Sequence, residues 1–489
     1  MSTAGRAVPA SQRHAARKPS AILFAVFGIF LGLFPATALD FRVSAAGRYS
    51  TETANAATVE GIFGIEHREG PFSMSWDLVA DNLGTYPEPF LADFFGDFSV
   101  DIRNAGVSYA AGPLELYMGK LPLKDEIDSP YSLFLSGATP SVMTAGFEYR
   151  AGAFSFTDRW VGLDRNTESG LYNTTASGIY ADRGMVMKTY SLELGRLRFG
   201  YQDATLFTGS YFDFDVFANP APSFFLQYVL SASGRPGSRS GDQNSIMGLF
   251  GIYRGDGWKA WAQLLVDDFN TNRILKPGSY QNPDKLAWNL GGSLDLPLGV
   301  LGLHTAGATK YTFESVRDRF YSYTLHPGSA VISDGQTVSV PLADQMLGYV
   351  NGENNVALMA TWSAPLAGFD VETGLEFVVS GAKSPANPWH NGEDWASLGT
   401  QLLNDPVLEY RTLLDLRLSR SFGELALALQ LSGGYLANRL NPRYPGSDPS
   451  FPVDTETTTP SMEPVFFPVS GDSGFVFEIS LGGTWKLRL

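Results

Sequence analysis

Two carboxylates two positions apart, Asp213 and Asp215, lie inside the most aromatic stretch of the chain, Tyr211 to Tyr228. If that segment is extended they share one face, while Phe212, Phe214 and Val216 share the other. Such a pair can coordinate a hard cation or accept hydrogen bonds from sugar hydroxyls, and the rings of Phe212, Phe214 and Phe217 can stack on sugars. The plainer reading is an aromatic-rich packed loop whose acids face water. On either reading the stretch is too apolar to hang in water. It must fold against something, as a constriction or plug in a barrel mouth or against neighbouring loops.

A second set of candidates is charged and scattered. Arg198, Asp267 and Arg417 fall on the polar face of alternating segments, as do Arg42, Arg48, Asp77, Lys259, Gln263, His304, Lys310, Glu372, Glu376, Asp415, Glu478 and Lys486. Both signs occur, which suits a polar and weakly selective lumen, and most such residues would simply solvate a wet interior. Catalysis is not indicated. His67, His304, His326 and His390 are far apart, there is no Gly-x-Ser-x-Gly elbow, and no His pair stands at metal spacing. The chain has no Cys, which removes disulfides, thiolate metal sites and cysteine nucleophiles. The reading is a non-enzyme without a cofactor.

The elements that would position these residues are strands. From Phe475 onward, Phe477, Ile479, Leu481, Gly483, Trp485 and Leu487 form one face and Glu478, Ser480, Gly482, Thr484 and Lys486 the other. Strands in soluble proteins run to about 5–6 residues, whereas a tilted strand crossing a bilayer needs about 9–11. The same alternation marks residues 39 to 50, 369 to 380, 409 to 420 and 424 to 437. Tight reversals at Glu69-Gly70-Pro71, Ala111-Gly112-Pro113, Ala151-Gly152-Ala153, Gly195-Arg196, Gly255-Asp256-Gly257, Pro297-Leu298-Gly299, Leu366-Ala367-Gly368 and Phe422-Gly423 join such stretches pairwise. Eight hairpins and one strand at each end predict an all-β, closed antiparallel transmembrane barrel of about 18 strands. Its short turns would be periplasmic and its nine long loops extracellular. A soluble sandwich also alternates, but its loops would be short on both sides.

Residues 1–38 read as a cleaved signal peptide, leaving 39–489 as the barrel. Arg6, Arg13, Arg17 and Lys18 precede an apolar run from Ala21 to Phe34 and an Ala36-Thr37-Ala38 end, and the run is too short for a spanning helix. Without that segment 31 basic residues face 50 acidic ones, which argues against a nucleic-acid partner. The expected location is the outer membrane of a diderm bacterium, with lipid, lipopolysaccharide and the barrel-assembly machinery as partners. The last long loop, Asn438 to Ser473, carries seven Pro together with Asp448, Asp454, Glu456, Glu463 and Asp472, and shows no helix or strand pattern. Acidic loops of this kind can bridge through Ca²⁺ or Mg²⁺ to lipopolysaccharide or polysaccharide, or can simply be solvated.

The run Tyr211 to Tyr228, then Asp242-Gln243-Asn244, Tyr253-Arg254 and Trp261 to Phe269, resembles the central region of the Wzi-type capsule-assembly family of outer-membrane proteins. The resemblance implies an eighteen-stranded barrel and a role in holding capsular polysaccharide at the cell surface. Strand number, mixed lumen charge and long loops point instead to a porin-like channel for small polar solutes. The two functions stand as alternatives at this stage.

Overall fold

The sharp reversals rest on backbone that only some residues adopt. Gly70 and Gly112 take φ of 55° and 59° immediately before Pro71 and Pro113. A glycine followed by proline satisfies a two-residue hairpin because the first position needs positive φ and the second a fixed negative one. Between these turns the computed structural model describes residues 39–51, 57–83, 93–95, 98–164, 182–230, 243–269, 272–276, 283–315, 321–325, 330–333, 336–339, 342–384, 399–443 and 465–488.

Eighteen long strands run antiparallel to their neighbours. The first six are β1 (Leu39–Ser50), β2 (Ala57–Glu69), β3 (Phe72–Asp81), β4 (Phe98–Ala111), β5 (Leu114–Leu121) and β6 (Val142–Ala151). Next come β7 (Phe154–Asp164), β8 (Arg183–Leu194), β9 (Leu197–Thr208), β10 (Gln243–Gly255), β11 (Trp258–Asp268) and β12 (Lys285–Leu296). The ring is completed by β13 (Gly299–Ala308), β14 (Asn355–Leu366), β15 (Phe369–Ser380), β16 (Glu409–Phe422), β17 (Leu425–Ala437) and β18 (Gly474–Arg488). Val43 pairs with Phe63 on one side and Trp485 on the other, so β1 joins β18 and the barrel has no open edge. The expected strand count and turn positions are those observed.

Alternation sets the two faces. Leu358, Leu375, Leu414, Leu427 and Leu481 are exposed on the outside, whereas Glu372, Asp415, Arg417 and Glu478 occupy the opposite parity of the same or neighbouring strands. In water such an apolar outer wall would be an aggregation surface; in lipid it is the solvated face. The protein is an integral outer-membrane barrel.

Two expectations need correction. Lys310 is expected on the polar face of a strand, but β13 stops at Ala308, because the chain leaves the wall through Thr309 and Tyr311 takes φ of 72°. Lys310 is therefore a loop residue, 3.6 Å from Asp405, rather than part of the wall. The last loop does hold strand structure, since Leu440–Arg443 pairs with Val465–Pro468. Asp448, Asp454, Glu456, Glu463, His326 and His390, like residues 1–38, lie outside the described residues.

Candidate functional site

The lumen is divided into a filled and a wet sector. Inward residues of β7 to β15 are largely small or apolar: Val161, Met185, Met187, Ala204, Ile246, Leu265, Ala287, Ala306, Ala357 and Val378. They form one buried cluster with Leu123, Tyr131, Leu133, Phe134 and Leu135 of the third loop and Phe313, Tyr323, Leu347 and Tyr349 of the seventh. The third loop, residues 122–141, thus folds into the barrel. Its run Tyr131-Ser132-Leu133-Phe134-Leu135 is as unsuited to water as Tyr211 to Tyr228 of the fifth loop, and that signal could have found it in the sequence.

Polar contacts fix this loop at defined points. Asp125 accepts from Gln202 Nε2 at 2.8 Å, Gln263 Nε2 at 3.0 Å and the Phe134 amide at 3.0 Å. Leu133 N donates to Gln263 Oε1 at 3.1 Å. Arg198 reaches Glu126 at 2.5 Å, and Ile127 packs against Phe250, Ile252 and Trp261. On the far side Tyr131 Oη donates to Glu376 Oε1 at 2.7 Å, and Arg411 Nη2 donates to the other oxygen of that carboxylate at 3.2 Å. The seventh loop closes over the third: Tyr323 Oη donates to Phe134 O at 2.7 Å and Ser136 N to Leu347 O at 3.0 Å. These bonds give the polar groups named above partners inside the lumen, which lowers the cost of burying them in a dry plug.

The wet sector runs along β15 to β18 and on to β4. Its inward side chains include the small Ser44, Ala46, Ala428, Ser432, Gly482 and Thr484 and the members of several ion pairs. Arg42 lies 2.5 Å from Asp77, Arg48 pairs with Glu478, Arg103 with Glu60, and Arg417 stands 3.9 Å from Glu372. Arg417 and Glu372 are 54% and 61% exposed although they point inward, so solvent occupies this part of the lumen.

The sequence candidates separate accordingly. Arg198 and Arg417 are lumen residues, the first holding the third loop and the second lining the wet sector. Asp267 is buried, 3.6 Å from Lys285, and accepts from the Phe313 amide at 2.8 Å, so it anchors the seventh loop. Asp213, Asp215, Phe212, Phe214 and Phe217 are elsewhere. Their segment is not extended: Asp213 caps a short helix, α1 (Phe214–Phe217), accepting from the Asp215 and Val216 amides. The two carboxylates therefore do not share a face as an extended pair would.

In its described residues, 211–230, the fifth loop lies on the outer wall rather than plugging the mouth or resting on neighbouring loops. Val216 is buried with Val186 and Phe207, Trp160 and Phe217 pack against this cluster, the wall residues are all of outward parity, and the Phe217 ring is 6.4 Å from that of Phe147 on β6. Helix α2 (Ser223–Leu230) crosses β8, β9 and β10. The extracellular mouth carries further buried charge. Burial, reinforced by the neighbouring Glu353 carboxylate, holds the Glu314 carboxyl well above the usual range. Burial likewise pushes the Lys383 ammonium down to about 8, against the pull of Glu409.

No protein-family model matches the sequence, and no curated protein does either. Among solved structures, Wzi of Escherichia coli, described as an outer-membrane protein involved in group 1 capsule assembly and a carbohydrate-binding β-barrel, is similar over 97% of this chain and 90% of its own. The TM-score is 0.51 and the identity 11%. OpdK of Pseudomonas aeruginosa aligns over 92% of this chain and 98% of its own at 10% identity, with a TM-score of 0.43. At such identities the likeness to Wzi is one of fold.

Proposed function

We propose that the barrel is a porin-like channel for small polar solutes, with passage confined to the sector that the third and seventh loops leave open. The observation that carries this reading is the solvated row of inward ion pairs, from Arg42 and Arg48 on β1 to Arg417 and Glu372, beside a plug that fills the rest of the lumen. A narrowed path with both charge signs on its wall orients dipolar solutes while discriminating weakly between anions and cations.

Retention of surface polysaccharide is the competing function, and the aromatic fifth loop was its main support in the sequence. With that loop on the outer wall, its rings are not at the mouth where a polymer would emerge. Single-channel recording of the purified barrel in a planar bilayer tests the proposal. A steady open conductance with weak ion selectivity is expected; a silent barrel that retains capsular polysaccharide in a pull-down would overturn it.

A further inference from the structure

The outer wall carries a charged row where lipid should be. Register places Asp158 of β7 opposite Lys188 of β8, and Lys188 opposite Asp203 of β9. These positions share outward parity with Phe154, Leu192, Leu194, Leu197 and Phe199, which are exposed on the lipid side. Lys188 is six positions up its strand from Leu194. At about 2.5 Å of height per residue in a tilted strand, that is about 15 Å above the periplasmic turn, inside an apolar band about 25 Å tall. On the opposite wall Leu358 and Phe377, each eight positions above its own turn, are exposed apolar residues. The charged row is therefore at lipid depth, and an uncovered charge there is costly.

The fifth loop covers it as a strap. Lys188 Nζ donates to the carbonyls of Val216, Asn219 and Ala221 at 2.7, 2.6 and 3.1 Å. Asp203 accepts from the Ser223 amide at 2.9 Å, and Tyr190 Oη donates to Pro220 O at 2.6 Å. Trp160 Nε1 donates to Tyr211 O at 2.8 Å. The seat is built into the wall, since a Cβ on the paired Gly162 or Gly184 would collide with Tyr211. The backbone carbonyls, the Ser223 amide and the Asp213 carboxylate of the strap turn toward the barrel, and Asp215 is its exposed acid. Its other side shows Phe214 at 68% exposure and Phe225 at 61%, with Phe212 and Val229 also exposed.

We infer that the fifth loop is a membrane-embedded strap whose exposed face, Phe212, Phe214, Phe225 and Val229, docks against the acyl chains of the outer leaflet. The face is continuous with the lipid-facing wall of β8 to β10, where Leu192, Phe199 and Leu249 are exposed. Four large apolar side chains around an inward-turned polar core are arranged for hydrocarbon rather than for water.

The chain has no Cys, so single-cysteine variants can be spin-labelled selectively. Nitroxides at Phe225→Cys and, independently, Val229→Cys in the full barrel, reconstituted in phosphatidylcholine vesicles, would be relaxed with molecular oxygen and with a water-soluble nickel chelate. Leu358→Cys on the lipid-facing wall and Arg417→Cys in the lumen serve as references. The expected result is an oxygen-to-nickel accessibility ratio at 225 and 229 matching that at 358 and several-fold above that at 417. Nickel accessibility like that at 417 would overturn the inference, and so would labels reached by neither reagent, which would mean that protein covers the strap.

Discussion

Glu314 and Glu353, at the two ends of the seventh loop, converge on one serine of the eighth: the Ser384 hydroxyl donates to Glu314 and its amide to Glu353 Oε1 at 2.5 Å. Both carboxyls are buried. The charged groups around them are Lys285, whose ammonium donates to Glu314 O at 2.6 Å, Asp267 beside Lys285, and Lys383 and Glu409 across the eighth loop.

Because the folded mouth raises the Glu314 pKa, it holds a proton that the undocked loop would release. Docking of the seventh loop on the eighth is therefore strongest in acid and weakens as pH rises from the ordinary carboxylate range through the raised value. Hydrogen exchange of the Tyr311 to Ser315 amides should speed up with pH more than intrinsic exchange chemistry requires. Glu314→Gln should remove that excess, and an unchanged excess would show that another group is responsible.

The third loop should set the conductance. Phe134 is fully buried between the lumen wall and the seventh loop, and its truncation to Ala removes packing of about 3–5 kcal/mol. Phe134→Ala should raise mean conductance and add flicker in single-channel records. Glu376→Gln, which weakens a charge-assisted bond from Tyr131 and the pairing with Arg411, should act in the same direction by a smaller amount. Leu358→Ala on the lipid side should leave conductance as it was.

What could be read from the sequence follows the range of the interactions. Gly70-Pro71 and the Leu425 to Leu431 alternation are local and period-bound, so turns, strands and faces were legible. The fifth loop's need to fold against something was legible too, but which surface it chose depends on Asp158, Lys188 and Asp203 meeting across three strands. Lys188 already stood in the sequence at the same parity as Leu192 and Leu194; only with register in hand does it become a charged row that lipid cannot solvate. Tyr131 to Leu135 was an equally apolar loop, and its destination likewise lay in distant partners such as Glu376 and Tyr323.

Lys188 should be the wall residue whose loss costs most. Lys188→Met leaves Asp158 and Asp203 buried beneath the strap without their shared cation and strips three strap carbonyls of their donor. Breaking a buried charge cluster by removing one member typically costs about 3–5 kcal/mol. Urea unfolding of the barrel in lipid vesicles should show a lowered midpoint of that order, and the triple change of Lys188→Met with Asp158→Leu and Asp203→Leu should recover part of it. Equal stability of Lys188→Met and the parent would mean that the row is not closed off from water.

Deleting residues 212–225 separates the strap from any constriction role. That segment touches Trp160, Val186 and Phe207 on the outside of the wall, whereas the plug beneath it is made by the third and seventh loops. Single-channel conductance should therefore be unchanged, in contrast to Phe134→Ala. Stability should not be: the deletion bares Lys188 and both aspartates to hydrocarbon and removes the Asp213-capped turn that seats Val216. The expected phenotype is a barrel that conducts normally once folded but inserts poorly and unfolds at lower urea. A raised conductance would put the fifth loop back in the lumen, because a strap on the lipid side has no physical means of widening the pore.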